Sequence, residues 1–261
     1  MKYFDLHVHT EFCDGQATAE EMVRAAIDLG CPKIGFSTHA PLAYPDYAML
    51  PEREDEYRGT VFALCDKYKD KIRVLCGLEV DLYSLPVTKP YDYIIGSCHS
   101  LSPVGADGRR FDVDGPYERL IGAIDTYFGG DAYAAAEDYF ASVARLGTLK
   151  PDIIGHFDLI RKFNKGGALF DETSPRYLAA ARRAVDALLP LGVPFEVNTG
   201  AVARGYRETP YPAAPILAYI LRNGGKVILT GDAHRPENLC YEFEKWEYYV
   251  KMFKPSRAKI V

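Results

Sequence analysis

The sequence predicts an α/β fold on parallel strands, with a metal-type site at their C-terminal ends. Three observations lead there. Short β-rich runs recur at residues 3–8, 33–37, 72–80, 91–97, 152–155, 193–198 and 226–230. Amphipathic segments of helical period lie between them, so strand and helix alternate, which implies parallel strands joined by right-handed crossovers. All six histidines fall at or just past the ends of such runs, where parallel α/β folds gather their active sites.

Taken in order, the run 3–8 carries His7 and ends beside His9. A helix is expected over 18–29, where Thr18 and Glu21 make a capping box ahead of Met22, Val23, Ala26 and Ile27 and Gly30 stops the helix. The run 33–37 leads to His39, and helical period resumes over 52–68. The run 72–80 is apolar except for Glu79, and 91–97 delivers His99. The Gly-, Asp- and Arg-rich stretch 102–115 reads as a long loop over the site. Helices are expected at 117–128 and 131–146, and strand 152–155 ends at His156. Helix 175–189, strand 193–198, helix 213–222, strand 226–230 and helix 236–253 complete the alternation. In the last helix the aromatics Trp246, Tyr248 and Tyr249 read as core. Seven strands are one short of the usual eight-stranded barrel, and no repeat or linker divides residues 1–261.

With 261 residues and 48% hydrophobic content the chain can bury a full core. A net charge of -5 argues against a broad nucleic-acid footprint. No apolar run reaches membrane-spanning length, and the first motif arrives before a signal-peptide core could form. The six cysteines (13, 31, 65, 76, 98, 240) contain no CxxC pair, so free thiols in a reducing cytoplasm are expected. Cys98 reads as a small packed residue rather than a nucleophile.

The chemistry rests on residue type and spacing. In His7-Val8-His9 both imidazoles share a strand face, because side chains alternate with period two. Asp14, in Cys13-Asp14-Gly15, is either a ligand or a turn cap. Glu79 interrupts an apolar strand, and a buried carboxylate needs a cationic partner or a metal. Asp81 shares that face nearer the mouth and reads as solvated. Asp232 and His234 again share a face beyond the apolar Val227-Ile228-Leu229. Neutral imidazole is the commonest side-chain ligand of transition metals. The convergence points to a multinuclear site.

In that order, His7-x-His9, Cys13-Asp14-Gly15, His39, Glu79, His99, His156 and Asp232-x-His234 resemble the PHP (polymerase and histidinol phosphatase) family over nearly the whole chain. The resemblance implies a distorted (β/α)7 barrel. It places His7, His9, Glu79 and Asp232 at a first metal, Glu79, His99 and His156 at a second, and Asp14, His39 and His234 at a third. Two to three divalent ions (zinc, manganese or iron) are implied, with Glu79, Asp232 and His234 central to catalysis. Residues 10–13, 39–42, 155–161 and Asn198-Thr199-Gly200 are similar to the histidinol-phosphatase branch. The first loop departs from it, with Cys13-Asp14-Gly15 where that branch often has Cys-Pro-His-Gly, and Thr38 replaces an acidic residue. The implied reaction is phosphomonoester hydrolysis by a metal-bridging hydroxide, most simply on L-histidinol phosphate. Arg161, Arg204 and Arg207 are the expected phosphate contacts. Asp107, Asp112, Asp114 and Glu11 are candidates for a substrate ammonium. Alternatives are another small phosphate or phosphotyrosine, an amidohydrolase and a non-catalytic polymerase-accessory domain. The amidohydrolase is disfavoured because no middle-strand lysine stands ready as a carboxylated bridge. The accessory domain is disfavoured because every ligand position is filled.

Overall fold

The computed structural model describes residues 2–43 and 47–253. In chain order the first half is α1 (Ala19–Asp28), β1 (Lys33–Phe36), α2 (Glu54–Tyr68), β2 (Arg73–Asp81), β3 (Tyr93–Ser97), β4 (Ser100–Val104) and β5 (Arg110–Asp112). Then come α3 (Tyr117–Phe128), α4 (Ala132–Val143), β6 (Ile153–Ile154), α5 (Pro175–Leu188), β7 (Pro194–Asn198), α6 (Gly200–Ala203), α7 (Ala214–Arg222), β8 (Lys226–Thr230) and α8 (Phe243–Phe253). Six strands form one curled, parallel half-barrel in the order β1-β2-β3-β6-β7-β8. No described helix is long and apolar enough to cross a membrane.

The expected strand at 3–8 is not a strand. Asp5 makes an isolated bridge to Ile34, and Val8 one to Ala233, so the segment touches both edges of the half-barrel without a continuous ladder. The cause is Asp5. Its buried carboxylate accepts the backbone N–H groups of His7, Gly231 and Cys240, which occupies donors that a regular ladder would pair.

The remaining elements follow side-chain chemistry. Thr18 caps α1 with both bonds of the capping box in place, and Gly30 takes φ 70° behind it. Tyr93 explains a glycine on the adjacent strand. A Cβ on Gly77 would lie 2.3 Å from the Tyr93 ring, so only glycine lets the buried ring lie flat on β2 and donate its hydroxyl to the Leu6 and Phe36 carbonyls. Residues 102–115, expected as a loop, instead belong largely to an antiparallel hairpin of β4 and β5. Asp107-Gly108 supplies its turn, with Gly108 at φ 77°. The helix expected from 236 begins only at Phe243. Cys240 and Glu242 take φ of 52° and 51°, and the Cys240 N–H is held by Asp5, so the helical path is broken there. Trp246 is buried as expected, whereas Tyr248 is 70% exposed.

Candidate metal centre

The strand ends deliver the donors. Glu79 lies near the end of β2, and His39, His99, His156, Asp232 and His234 lie just beyond β1, β3, β6 and β8. Glu79 is 1% exposed and stands at the centre. Its Oε2 is 3.1 Å from His7 Nε2, 3.5 Å from His9 Nε2 and 3.0 Å from His39 Nδ1. Its Oε1 is 2.9 Å from His156 Nε2 and 3.4 Å from His99 Nε2. One carboxylate oxygen therefore faces each half of the cluster. Asp232 Oδ1 closes the first half, 3.4 Å from His9 Nε2 and 3.8 Å from His7 Nε2.

Asp14 joins the outer edge, 3.2 Å from His234 Nε2 and 3.7 Å from His39 Nε2. Three sets of donor atoms lie mutually within 4.8 Å: His9-Asp14-His39-His234, His7-His9-Glu79 and His39-Glu79-His99. His9 and His39 each occur in two of these sets. All nine expected donors come together.

The donor set fits a metal cation. His7 Nε2, His9 Nε2 and Glu79 Oε2 are buried without a hydrogen-bond partner, although His7 Nε2 and Glu79 Oε2 are in close approach. Their angles do not suit a hydrogen bond, and lone pairs converging in a dry site are costly unless a cation sits among them. The electrostatics are those of a carboxylate-rich cluster: against burial, Glu196 and Glu79 push the His7 imidazole up, Glu79 and Asp14 that of His39, and Glu79 and Asp81 that of His99. Burial together with His234 and His39 pushes the His9 imidazole down to about 3, its unprotonated, ligating form. Burial opposes ionisation of Glu79, but His39, His7 and His99 hold it well below the usual carboxylate range.

Two further carboxylates stand behind the donors. Asp81, expected to be solvated, is 5% exposed and accepts the His99 backbone N–H at 2.8 Å, with His99 Nδ1 at 3.0 Å. Strand β2 runs one residue further than expected, which carries Asp81 inside. Glu196, fully buried on β7, lies 2.6 Å from His7 Nδ1. Its signal was in the sequence: a lone carboxylate between Phe195 and Val197, like Glu79 between Leu78 and Val80.

The arginines divide. Arg204 lies beside the cluster, donating to the Asp232 carbonyl and carboxylate at 3.0 Å each and lying 2.9 Å from His234 Nδ1. A Cβ on Gly200 would come within 2.8 Å of Asp232 and 3.0 Å of Arg204, so that glycine lets both approach. Arg161 and Arg207 point elsewhere. Arg161 is 3% exposed and bonded to Glu172, Pro210 and Thr209, and Arg207 is bonded to Glu172 and the Arg161 carbonyl. Neither lines the cavity over the cluster. Their shared partner is Glu172, which sequence position does not reveal.

That cavity is about 750 Å³. Asp14, His39, His99, His156, Asp232, His234 and Arg204 line it, together with Tyr47, Lys162, Tyr206, Asp112, Asp114, Arg235 and Glu237. Of the expected acidic set, Asp112 and Asp114 reach it. Asp107 is instead paired with Arg119 on the surface, and Glu11 is not among the lining residues.

Fold and donor set define a class, an α/β protein with a divalent-metal-binding cluster. The chain belongs to the PHP-domain family, which matches residues 5–200. A Deinococcus radiodurans protein named "Probable histidinol-phosphatase" is 30% identical over 257 residues, 92% of this chain and 89% of its own. The Bacillus subtilis protein named "Histidinol-phosphatase" is 26% identical over 271 residues, 94% of this chain and 98% of its own. A Lactococcus lactis histidinol phosphate phosphatase, solved with zinc, L-histidinol and phosphate, superposes with a TM-score of 0.72 at 21% identity, covering 97% of this chain and 94% of that one. The chain is a hydrolase of phosphoric monoesters.

Proposed function

We propose that the chain, acting as one domain over residues 1–261 in the cytoplasm, is an L-histidinol-phosphate phosphatase using two or three divalent transition-metal ions. The mixed charge of the cavity lining carries this reading. The donor cluster and the Arg204 guanidinium suit a phosphate dianion, and Asp112 and Asp114, which line the same cavity, suit an ammonium. The names of the Deinococcus and Bacillus relatives and the ligands of the Lactococcus structure support it.

His7, His9, Glu79 and Asp232 would hold one ion, Glu79, His99 and His156 a second, and Asp14, His39 and His234 a third. Bound there, the ions would acidify a water and neutralise charge developing on phosphate. Glu79 spans the two halves of the cluster. Arg204 braces Asp232 while its cation faces the cavity, so one side chain both orients a donor and draws the dianion. Lys162 adds positive charge on the same rim. Its Nζ donates to the Asp114 carbonyl at 2.7 Å and stands 3.9 Å from the Asp114 carboxylate, which ties the hairpin side to the phosphate side.

Phosphate release from L-histidinol phosphate and p-nitrophenyl phosphate tests the reading. A clear preference for histidinol phosphate, lost on chelation, is expected. Equal turnover of the two would reduce the assignment to an unspecific phosphomonoesterase.

A further inference from the structure

We propose that Glu196 is a positioning residue that fixes which nitrogen of His7 faces the cluster and couples that choice to His156. The proposal rests on reading the cluster as a metal site. Glu196 and His7 are both fully buried, and Glu196 Oε1 lies 2.6 Å from His7 Nδ1. The other oxygen, Oε2, accepts the His156 backbone N–H at 2.8 Å and an amide hydrogen of Asn198 Nδ2 at 3.0 Å. Asn198 is itself held, its Oδ1 accepting the Gly200 N–H at 2.9 Å. The carboxylate is therefore clamped from three directions, and one group supports residues on both sides of Glu79.

The consequence lies in donor and acceptor roles. A carboxylate only accepts, so His7 must place its proton on Nδ1. That leaves the Nε2 lone pair aimed at the cluster, where Nε2 is buried, makes no hydrogen bond and lies 3.1 Å from Glu79 Oε2. Orienting partners of this kind set both tautomer and basicity of an imidazole ligand. Asp81 stands behind His99 in the same way, but it lacks the link to a second element.

Glu196→Gln is the informative change, because it keeps the shape and inverts one role. Two donors, from His156 and Asn198, meet the Oε2 position, so the amide oxygen settles there. The amide NH2 is then left facing His7 Nδ1, which must accept. His7 is forced to carry its proton on Nε2, pointing into the cluster, and cannot ligate.

The test is zinc affinity of the full-length protein, stripped by chelation and titrated in competition with a chromophoric chelator, with Glu79→Ala as reference. Glu196→Gln is expected to weaken the affected zinc site about 10- to 100-fold, with the far-ultraviolet circular dichroism of the wild type. Zinc affinity within twofold of wild type in Glu196→Gln, alongside a large loss in Glu79→Ala, would overturn the proposal alone. No loss in either variant would overturn the metal-site reading itself. If Glu196→Gln does not fold, nitrogen-15 spectra of zinc-loaded wild-type protein decide. They should show His7 protonated at Nδ1 and metal-bound at Nε2, and the reverse assignment refutes the proposal.

Discussion

Replacing Asp112 by asparagine should make the protein lose its preference for an amine-bearing substrate while keeping its phosphatase chemistry. Asp112 lies on the cavity wall, and its Oδ1 accepts the Ser100 hydroxyl at 2.6 Å. Asparagine can keep that bond through its own Oδ1, so the hairpin should stay in place while the charge disappears. Asp114 is the weaker candidate, because Lys162 stands 3.9 Å away and offsets it. A hydrogen bond to a charged group contributes about 1.5–3 kcal/mol. At 1.36 kcal/mol per tenfold, kcat/KM for histidinol phosphate should fall roughly 10- to 150-fold. p-Nitrophenyl phosphate has no ammonium and should change less than about twofold on the same reasoning. The pH dependence has a definite sign. Burial, with Asp114 beside it, raises the Asp112 carboxyl above the ordinary aspartate value. Acidification should therefore neutralise it, and erase the preference, at a higher pH than for a free aspartate. Equal losses on both substrates in Asp112→Asn, measured by phosphate release, would refute this account of selectivity.

Further outcomes follow from the same geometry. Arg204→Ala should impair every phosphomonoester alike, by roughly 2–3 kcal/mol in kcat/KM, since a charged contact to the dianion is lost whatever the leaving group. Arg161→Ala should act on stability instead. It takes the nearest arginine from the buried Asp158 and one of two arginines from Glu172, so the urea midpoint should drop by the equivalent of about 3 kcal/mol while activity per folded molecule is kept. Gly77→Ala should destabilise by about 3 kcal/mol, because its Cβ would meet the Tyr93 ring at 2.3 Å; unchanged thermal unfolding would disprove the packing argument. Glu79→Ala should lower kcat by three or more orders of magnitude, about 4 kcal/mol, with the fold kept by circular dichroism. A near-normal kcat would remove Glu79 from the site.

The histidine positions were legible because imidazole is a rare, chemically specific residue type and each one ends a strand-like run. Glu79 was legible for a related reason, as a carboxylate set in an apolar strand. Glu196 carries that same signature between Phe195 and Val197, so the sequence marks it equally well. Arg161 and Arg207 are a different case. Their charge suggested phosphate, yet which side of a strand end a residue faces depends on a partner far along the chain, here Glu172. The run at 3–8 has a strand-like pattern, and only the tertiary capture of backbone donors by Asp5 explains why its ladder is interrupted. The hairpin at β4 and β5 was hidden by its Gly, Asp and Arg content, which marks the turn more strongly than the short strands beside it.

The most direct test of the central claim is kcat/KM for L-histidinol phosphate against p-nitrophenyl phosphate, measured on metal-loaded and chelator-treated protein. At least about a tenfold preference for histidinol phosphate is expected from the ammonium contact alone, with loss of both activities on chelation, restored by a divalent transition metal. Full activity in protein verified to be metal-free, or no preference between the two substrates, would contradict it.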